Sequence, residues 1–360
     1  MTGIYIHIPF CVKKCAYCSF VSERVSDERK AQYLKRLAEE IRSGLSARPD
    51  ADTVYIGGGT PSLLSPKELE AALVPVIENV NLFNPEISME ANPESVTRDK
   101  INAAKSLGVN RISLGLQSMS DIVLRKSGRI HTKNDFLRAI DAVYDAGIEN
   151  ISADLMLGLP GQDIDGVSSD IAELKSLPIK HLSVYALKVE EGTPMCGNYE
   201  PDADLQADMY ETVLTALGDE FPRYEVSNFA RAGYECRHNI KYWRLDPYFG
   251  FGAAAHSLCD NVRYANPDGI DAYMRGEPKA SLPIPSGEQK QEFIMLGLRL
   301  AAGISVSEYR ARYGEGLFSS AHAAGISKHL KTGALLLEGD ALRLSSDAFY
   351  IMNTVLTDIL

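Results

Sequence analysis

Between residues 3 and about 220 the chain repeats one unit, a short apolar run followed by an amphipathic helical stretch. The runs are Ile4–Ile8, Thr53–Ile56, Ile87–Glu90, Arg111–Leu114, Asn150–Leu155 and His181–Leu187. Each is short and rich in Ile, Val, Leu or Tyr, as expected of strands buried on both faces. The stretches between them have helical spacing: Tyr33, Leu34, Leu37, Ile41 and Leu45 share one side, with Lys35, Arg36, Glu39, Glu40 and Arg42 opposite. Helix starts are marked too. Ser65-Pro66-Lys67-Glu68 combines an N-cap serine, a first-turn proline and a glutamate placed for a capping box, and Thr132 with Asp135 is a weaker version. Parallel neighbours need crossover helices, so six such units imply a parallel sheet. The pattern predicts an α/β fold, a partial, TIM-like (β/α)6 barrel, with a doubly wound sheet as the alternative.

Beyond residue 220 the pattern changes. Residues 221–285 read as an irregular linker region holding Trp243 and several tyrosines. From 286 to 360 helical spacing returns, with Phe293, Ile294, Leu296, Leu298 and Leu300 expected on one helix. A hairpin is expected to turn at Gly339-Asp340. Helices beside a hairpin suggest a small C-terminal helical, winged-helix-like domain. The first 220 residues then form the core domain.

Three of the six cysteines fall within His7-Ile8-Pro9-Phe10-Cys11-Val12-Lys13-Lys14-Cys15-Ala16-Tyr17-Cys18-Ser19-Phe20, on the loop after the first strand. Ligands of parallel α/β folds gather at that end of the sheet. Thiolates suit iron–sulfur clusters and zinc. Spacings of three and two intervening residues let one loop hold three corners of a cuboidal cluster. The fourth iron then stays open to a chelator, such as the amino and carboxylate groups of S-adenosylmethionine (SAM). A zinc knuckle completed by His7 or a distant cysteine is the alternative, although zinc modules usually carry paired cysteines or Cys with His at hairpin spacing.

Gly57-Gly58-Gly59-Thr60-Pro61 closes the second strand, where glycines let backbone approach a ligand. Glu90, Gln117 and Asp154 put polar groups at the same end of successive apolar strands. Buried polar groups cost about 1–3 kcal/mol when unpartnered, so their recurrence points to one shared site.

These motifs resemble the radical SAM superfamily, in the branch of oxygen-independent coproporphyrinogen III oxidase. The likeness rests on Tyr5-Ile6-His7-Ile8-Pro9-Phe10-Cys11 and on the Gly57–Pro61 run. It implies a [4Fe-4S] cluster on Cys11, Cys15 and Cys18, and SAM contacts from Tyr5, Tyr17, Gly59, Thr60, Glu90, Gln117, Arg129 and Asp154. Two departures separate the chain from the oxidase pattern. Phe20 stands where that pattern has another cysteine, and only ten residues precede Cys11, where the oxidase has an extension. A second motif, His238-Asn239-Ile240-Lys241-Tyr242-Trp243, followed by Gly250-Phe251-Gly252 and His256, is similar to the heme chaperones of the superfamily, the HemW type. That resemblance implies heme as a ligand, acceptor hemoproteins (membrane-bound ones included) as partners, and heme contact by His238. Imidazole is a good axial ligand for iron, and aromatic rings pack well on a porphyrin face. Decarboxylation of porphyrinogen propionates is the alternative activity.

Charge and targeting limit the rest. Thirty-seven basic against forty-eight acidic side chains give a net charge of -11, which disfavours a nucleic-acid face. Met1 to Ile8 is too short and uncharged for a secretory signal, and no apolar run approaches membrane-spanning length, so a cytoplasmic location is expected.

Overall fold

The computed structural model describes residues 1–360. Six parallel strands follow one another across the sheet: β1 (Thr2–Ile8), β2 (Asp50–Gly58), β3 (Asn81–Ala91), β4 (Arg111–Gln117), β5 (Asn150–Leu157) and β6 (His181–Ala186). The crossovers carry α1 (Asp27–Gly44), α2 (Pro66–Asn79), α3 (Arg98–Ser106), then α4 (Asp121–Lys126) with α5 (Lys133–Asp145), and α6 (Ile164–Ser176). From β1 to β6 the strand order never reverses, which excludes the doubly wound arrangement, because that fold needs a switch point among its parallel strands. Ser65 and Thr132 both form full capping boxes, with Glu68 and Asp135.

Past α7 (Ala203–Leu217), the stretch expected as an irregular linker instead adds strands at both edges of the same sheet. β7 (Asn228–Ala230) pairs antiparallel with β6, whereas β8 (Tyr248–Phe251) pairs parallel with β1. Outside β8 lie β9 (His256–Cys259), β10 (Val262–Ala265) and β11 (Ala280–Pro283), each antiparallel to its neighbour. α8 (Arg237–Arg244) and α9 (Ile270–Met274) lie between these strands in sequence. The edges β7 and β11 do not pair, so the barrel stays open.

Glu40, expected on the polar side of α1, is buried. It accepts hydrogen bonds from Gly252 N (3.0 Å), Asn266 Nδ2 (2.9 Å) and Tyr273 O–H (2.7 Å), and pairs with Lys279 Nζ (2.6 Å). A buried carboxylate is tolerated only with partners of this kind, and these fasten the β8–β11 extension to α1.

The C-terminal unit has its own apolar core, built from α10 (Ser286–Gly297), α11 (Val306–Tyr313), α12 (Ala323–Thr332) and α13 (Met352–Ile359). Beside them lies a three-stranded sheet of β12 (Ile304–Ser305), β13 (Leu335–Glu338) and β14 (Ala341–Leu344). The expected hairpin turn at Gly339-Asp340 joins β13 to β14. α10 ends at Gly297, so Leu298 and Leu300 lie past the helix to which they were expected to belong.

Candidate functional site

The cysteine loop leaves the carboxyl end of β1 and is pinned along its length. Cys11 N donates to Glu23 O (3.1 Å) and Glu23 N to Pro9 O (3.0 Å), closing its base. Ala16 N donates to Ser127 O (3.3 Å), while Met195 N donates to Ala16 O (2.9 Å), holding its crown. Cys18 N donates to Cys15 O (3.2 Å) in a tight turn.

The glycine run fits beneath this loop. Gly59 N donates to Ile8 O (2.9 Å) and Thr60 N to Phe10 O (2.8 Å). A Cβ on Gly59 would lie 2.7 Å from Phe10 O and 2.8 Å from Phe10 N, so only glycine allows this approach.

Side chains then join two of the three cysteines. Cys11 Sγ lies 3.5 Å from Thr60 Oγ1, which accepts from Asn92 Nδ2 at 2.9 Å. Asn92 Oδ1 accepts from Arg129 Nη2 at 2.9 Å, and Arg129 Nη1 donates to Cys15 Sγ at 3.4 Å. Arg129 Nη2 also donates to Gly115 O. Sequence reasoning named Thr60 and Arg129 but missed Asn92, which connects them. Its signal was present: Asn92-Pro93 directly follows β3, two residues past Glu90.

Inside the barrel, Glu90 Oε1 accepts from Tyr55 O–H and Oε2 from Gly58 N, both at 3.0 Å. Burial pushes the Glu90 carboxyl up to about 7. Asp154 accepts from Ser113 Oγ (3.0 Å) and is also raised by burial. It sits mid-strand, since β5 continues to Leu157, rather than ending that strand. Gln117 ends β4 with φ +73°, a left-handed conformation uncommon outside glycine, so the backbone turns sharply at the mouth. Tyr5 O–H donates to His7 Nδ1 (2.9 Å), an orientation fixed because His7 Nε2 must donate to Val21 O (3.1 Å). Tyr17 packs in a small apolar cluster with Val123, Leu159, Leu187 and Met195, against the crown of the loop.

His238 lies elsewhere. It is 0% exposed in α8, with Nδ1 2.9 Å from Thr53 Oγ1 and Nε2 2.8 Å from Tyr242 Oη. Its ring stacks on Tyr55 and Tyr5, with centroids 5.3 and 6.4 Å apart. Burial lowers its pKa to about 3. Neither nitrogen is free to meet iron, so the heme contact expected of His238 does not fit this arrangement.

Comparison with known proteins accounts for this architecture. The model of the Radical SAM superfamily matches residues 5–174, and that of the HemN C-terminal domain matches 285–351. A protein of Bacillus subtilis (strain 168) named heme chaperone HemW is 36% identical over 341 residues, covering 89% of this chain and 90% of its own. The chain belongs to the HemW family. A second HemW, from Escherichia coli (strain K12), is 38% identical over 264 residues, covering 71% of this chain and 69% of its own. Coproporphyrinogen III oxidase (HemN) from Escherichia coli superposes with a TM-score of 0.84 at 18% identity, over 99% of this chain and 89% of that one, and so shares the fold.

The radical SAM part of a HemW protein implies a [4Fe-4S] cluster and SAM as cofactors. The donors present suit the cluster. Three sulfurs binding one zinc would each lie about 2.3 Å from it. No three His, Cys, Asp or Glu side chains converge closely enough to hold a single ion. A cuboidal cluster keeps its thiolates farther apart than a single zinc ion would.

Proposed function

We propose that the protein binds heme and passes it to acceptor hemoproteins in the cytoplasm, membrane-bound ones included. A [4Fe-4S] cluster on Cys11, Cys15 and Cys18, with one SAM, serves as integral cofactor. The curated HemW relatives support this reading. The observation that carries it against the oxidase alternative is Phe20, 67% exposed where the oxidase pattern has a cysteine.

When bound, the cluster supplies an electron able to cleave the SAM sulfonium. The residues of this chain bind and orient. Gly59 and Thr60 would lie against bound SAM, and Arg129 would offer a cation to its carboxylate. Glu90 and Asp154 would offer carboxyls to the ammonium and ribose, while Tyr5, Tyr17 and Gln117 would line the remaining wall. His238, locked between Thr53 and Tyr242, positions Tyr5 and Tyr55.

The test uses anaerobically reconstituted protein, titrated with heme and then mixed with an apo-hemoprotein. A parallel sample receives coproporphyrinogen III and a reductant. Heme uptake and transfer, with the porphyrinogen unchanged, is expected. Conversion to the divinyl product would overturn the chaperone reading in favour of the oxidase.

A further inference from the structure

We propose that His256 is the axial ligand through which the protein holds heme iron, an assignment that rests on the heme-carrying reading above. The chain has seven histidines. His7, His131, His181, His238, His322 and His329 are buried, and each has at least one ring nitrogen bonded within the protein. His256 alone is exposed, and its imidazole takes part in no hydrogen bond or ion pair. It can offer a nitrogen lone pair to iron without unfolding anything, whereas His238 would first have to give up Thr53 and Tyr242.

The strand register places His256 at the end of the sheet that carries the cysteine loop. Tyr248 of β8 lies opposite both Gly3 of β1 and Leu258 of β9. A Cβ on Gly3 would meet His238 Cε1 at 3.2 Å, so this row faces the barrel interior and α8. His256 is two residues from Leu258 and therefore shares its face. Because β9 runs antiparallel to β8, and β8 parallel to β1, His256 lies toward the end of the sheet from which the cysteine loop departs.

The neighbours of His256 suit a flat macrocycle. Its cross-strand partner is Ala265, whose own partner is Ala280. These side chains are too short to stand above the imidazole. Two residues beyond Ala280, Leu282 is 64% exposed and gives apolar surface for a porphyrin edge. An exposed, single-ligand site also suits a carrier, since an acceptor's ligand can displace His256 from solvent.

Heme titration of the anaerobically reconstituted protein, followed by absorbance and resonance Raman spectra, tests this. His256→Ala is expected to bind heme at least tenfold more weakly and to lose the histidine-ligated signature, and imidazole in the buffer is expected to restore it. Tyr242→Phe, which removes one hydrogen bond of His238 and keeps the ring, is expected to leave the heme spectrum unchanged. A wild-type spectrum and affinity in the His256 variant overturn the assignment while leaving heme carriage intact. Failure of the unmodified protein to take up heme overturns both.

Discussion

Arg129 donates Nη1–H to the sulfur of Cys15 at 3.4 Å, and its other terminal nitrogen is held by Asn92 Oδ1 at 2.9 Å. The guanidinium is therefore aimed at a cluster ligand by a residue that touches neither the cluster loop nor the lumen carboxylates. Asn92 also donates to Thr60 beside Cys11, so one amide sets the hydrogen bonding around two of the three thiols.

Hydrogen bonds to cluster sulfurs stabilise the reduced, more negative state and raise its potential. Asn92→Ala should leave Arg129 Nη2 held by Gly115 O alone, loosen the guanidinium and lower the midpoint potential of the reconstituted cluster, read by EPR-monitored redox titration. Stability should fall by about 1–3 kcal/mol, the cost of orphaning buried partners. Asn92→Asp keeps the acceptor for Arg129 but loses the donor to Thr60, so it should recover most of the potential. Equal potentials in all three proteins would show that Asn92 does not aim Arg129.

Glu90 gives a pH prediction. Burial raises its folded pKa from 4.5 to about 7, so the folded state holds its proton more tightly than the unfolded chain. The stability this contributes is fully present below about pH 4.5 and is lost as pH rises through 7. Glu90→Gln carries no charge at any pH, so its stability relative to the parent should improve by roughly 1–3 kcal/mol between pH 5 and pH 8. Paired thermal melts across that range check it. A difference that stays flat, or reverses, would mean Glu90 is ionised throughout.

The parts of the molecule readable in the sequence were those written into local pattern. Strands β1 to β6 are apolar runs because they are buried on both faces, and the capping boxes at Ser65 and Thr132 are spelled out within four residues. The edge strands were hidden for the opposite reason. β11 is wholly exposed and β7 has three residues, so neither carries an apolar signature. At the site, the cysteines and glycines announced themselves by spacing. Asn92 did not, because its importance comes from joining Thr60 and Arg129, residues 32 and 37 positions away. The enclosure of His238 was hidden as well, because the rings that surround it include Tyr5 and Tyr55, far away along the chain. Glu40 was placed on the wrong side of α1 because its partners, Gly252, Asn266, Tyr273 and Lys279, lie more than 200 residues along the chain.

The packing of His238 predicts a structural cost for its loss. His238→Ala leaves Thr53 and Tyr242 without their buried partner and opens a gap between Tyr5, Tyr55 and Tyr242. Each orphaned hydroxyl costs about 1–3 kcal/mol, so the variant should unfold at clearly lower denaturant concentration. Because burial holds the imidazole neutral down to about pH 3, its stabilising contribution is present above pH 6.5 and is lost as pH falls toward 3. The gap between parent and variant should therefore narrow in acid. Urea melts at pH 7 and pH 5 measure both effects, and an unchanged midpoint at pH 7 would contradict the tight enclosure described for this ring.

Gly59→Ala probes the seat of the cluster loop. The added methyl would stand 2.7 Å from Phe10 O, 2.8 Å from Phe10 N and 3.0 Å from Ile8 O. All three are backbone atoms of β1 and its exit, so no side chain can swing aside to make room. The loop must lift instead, stretching the Gly59 N–Ile8 O and Thr60 N–Phe10 O hydrogen bonds and moving Cys11 away from Thr60. Overpacking of this kind typically costs about 1–3 kcal/mol, which the large core of the barrel can absorb. The expected result is a folded protein, with near-parental circular dichroism, that reconstitutes with substoichiometric iron and sulfide and binds SAM weakly. A full cluster with parental SAM affinity would show that the glycine run is only a turn, and that the three cysteines find their spacing without it.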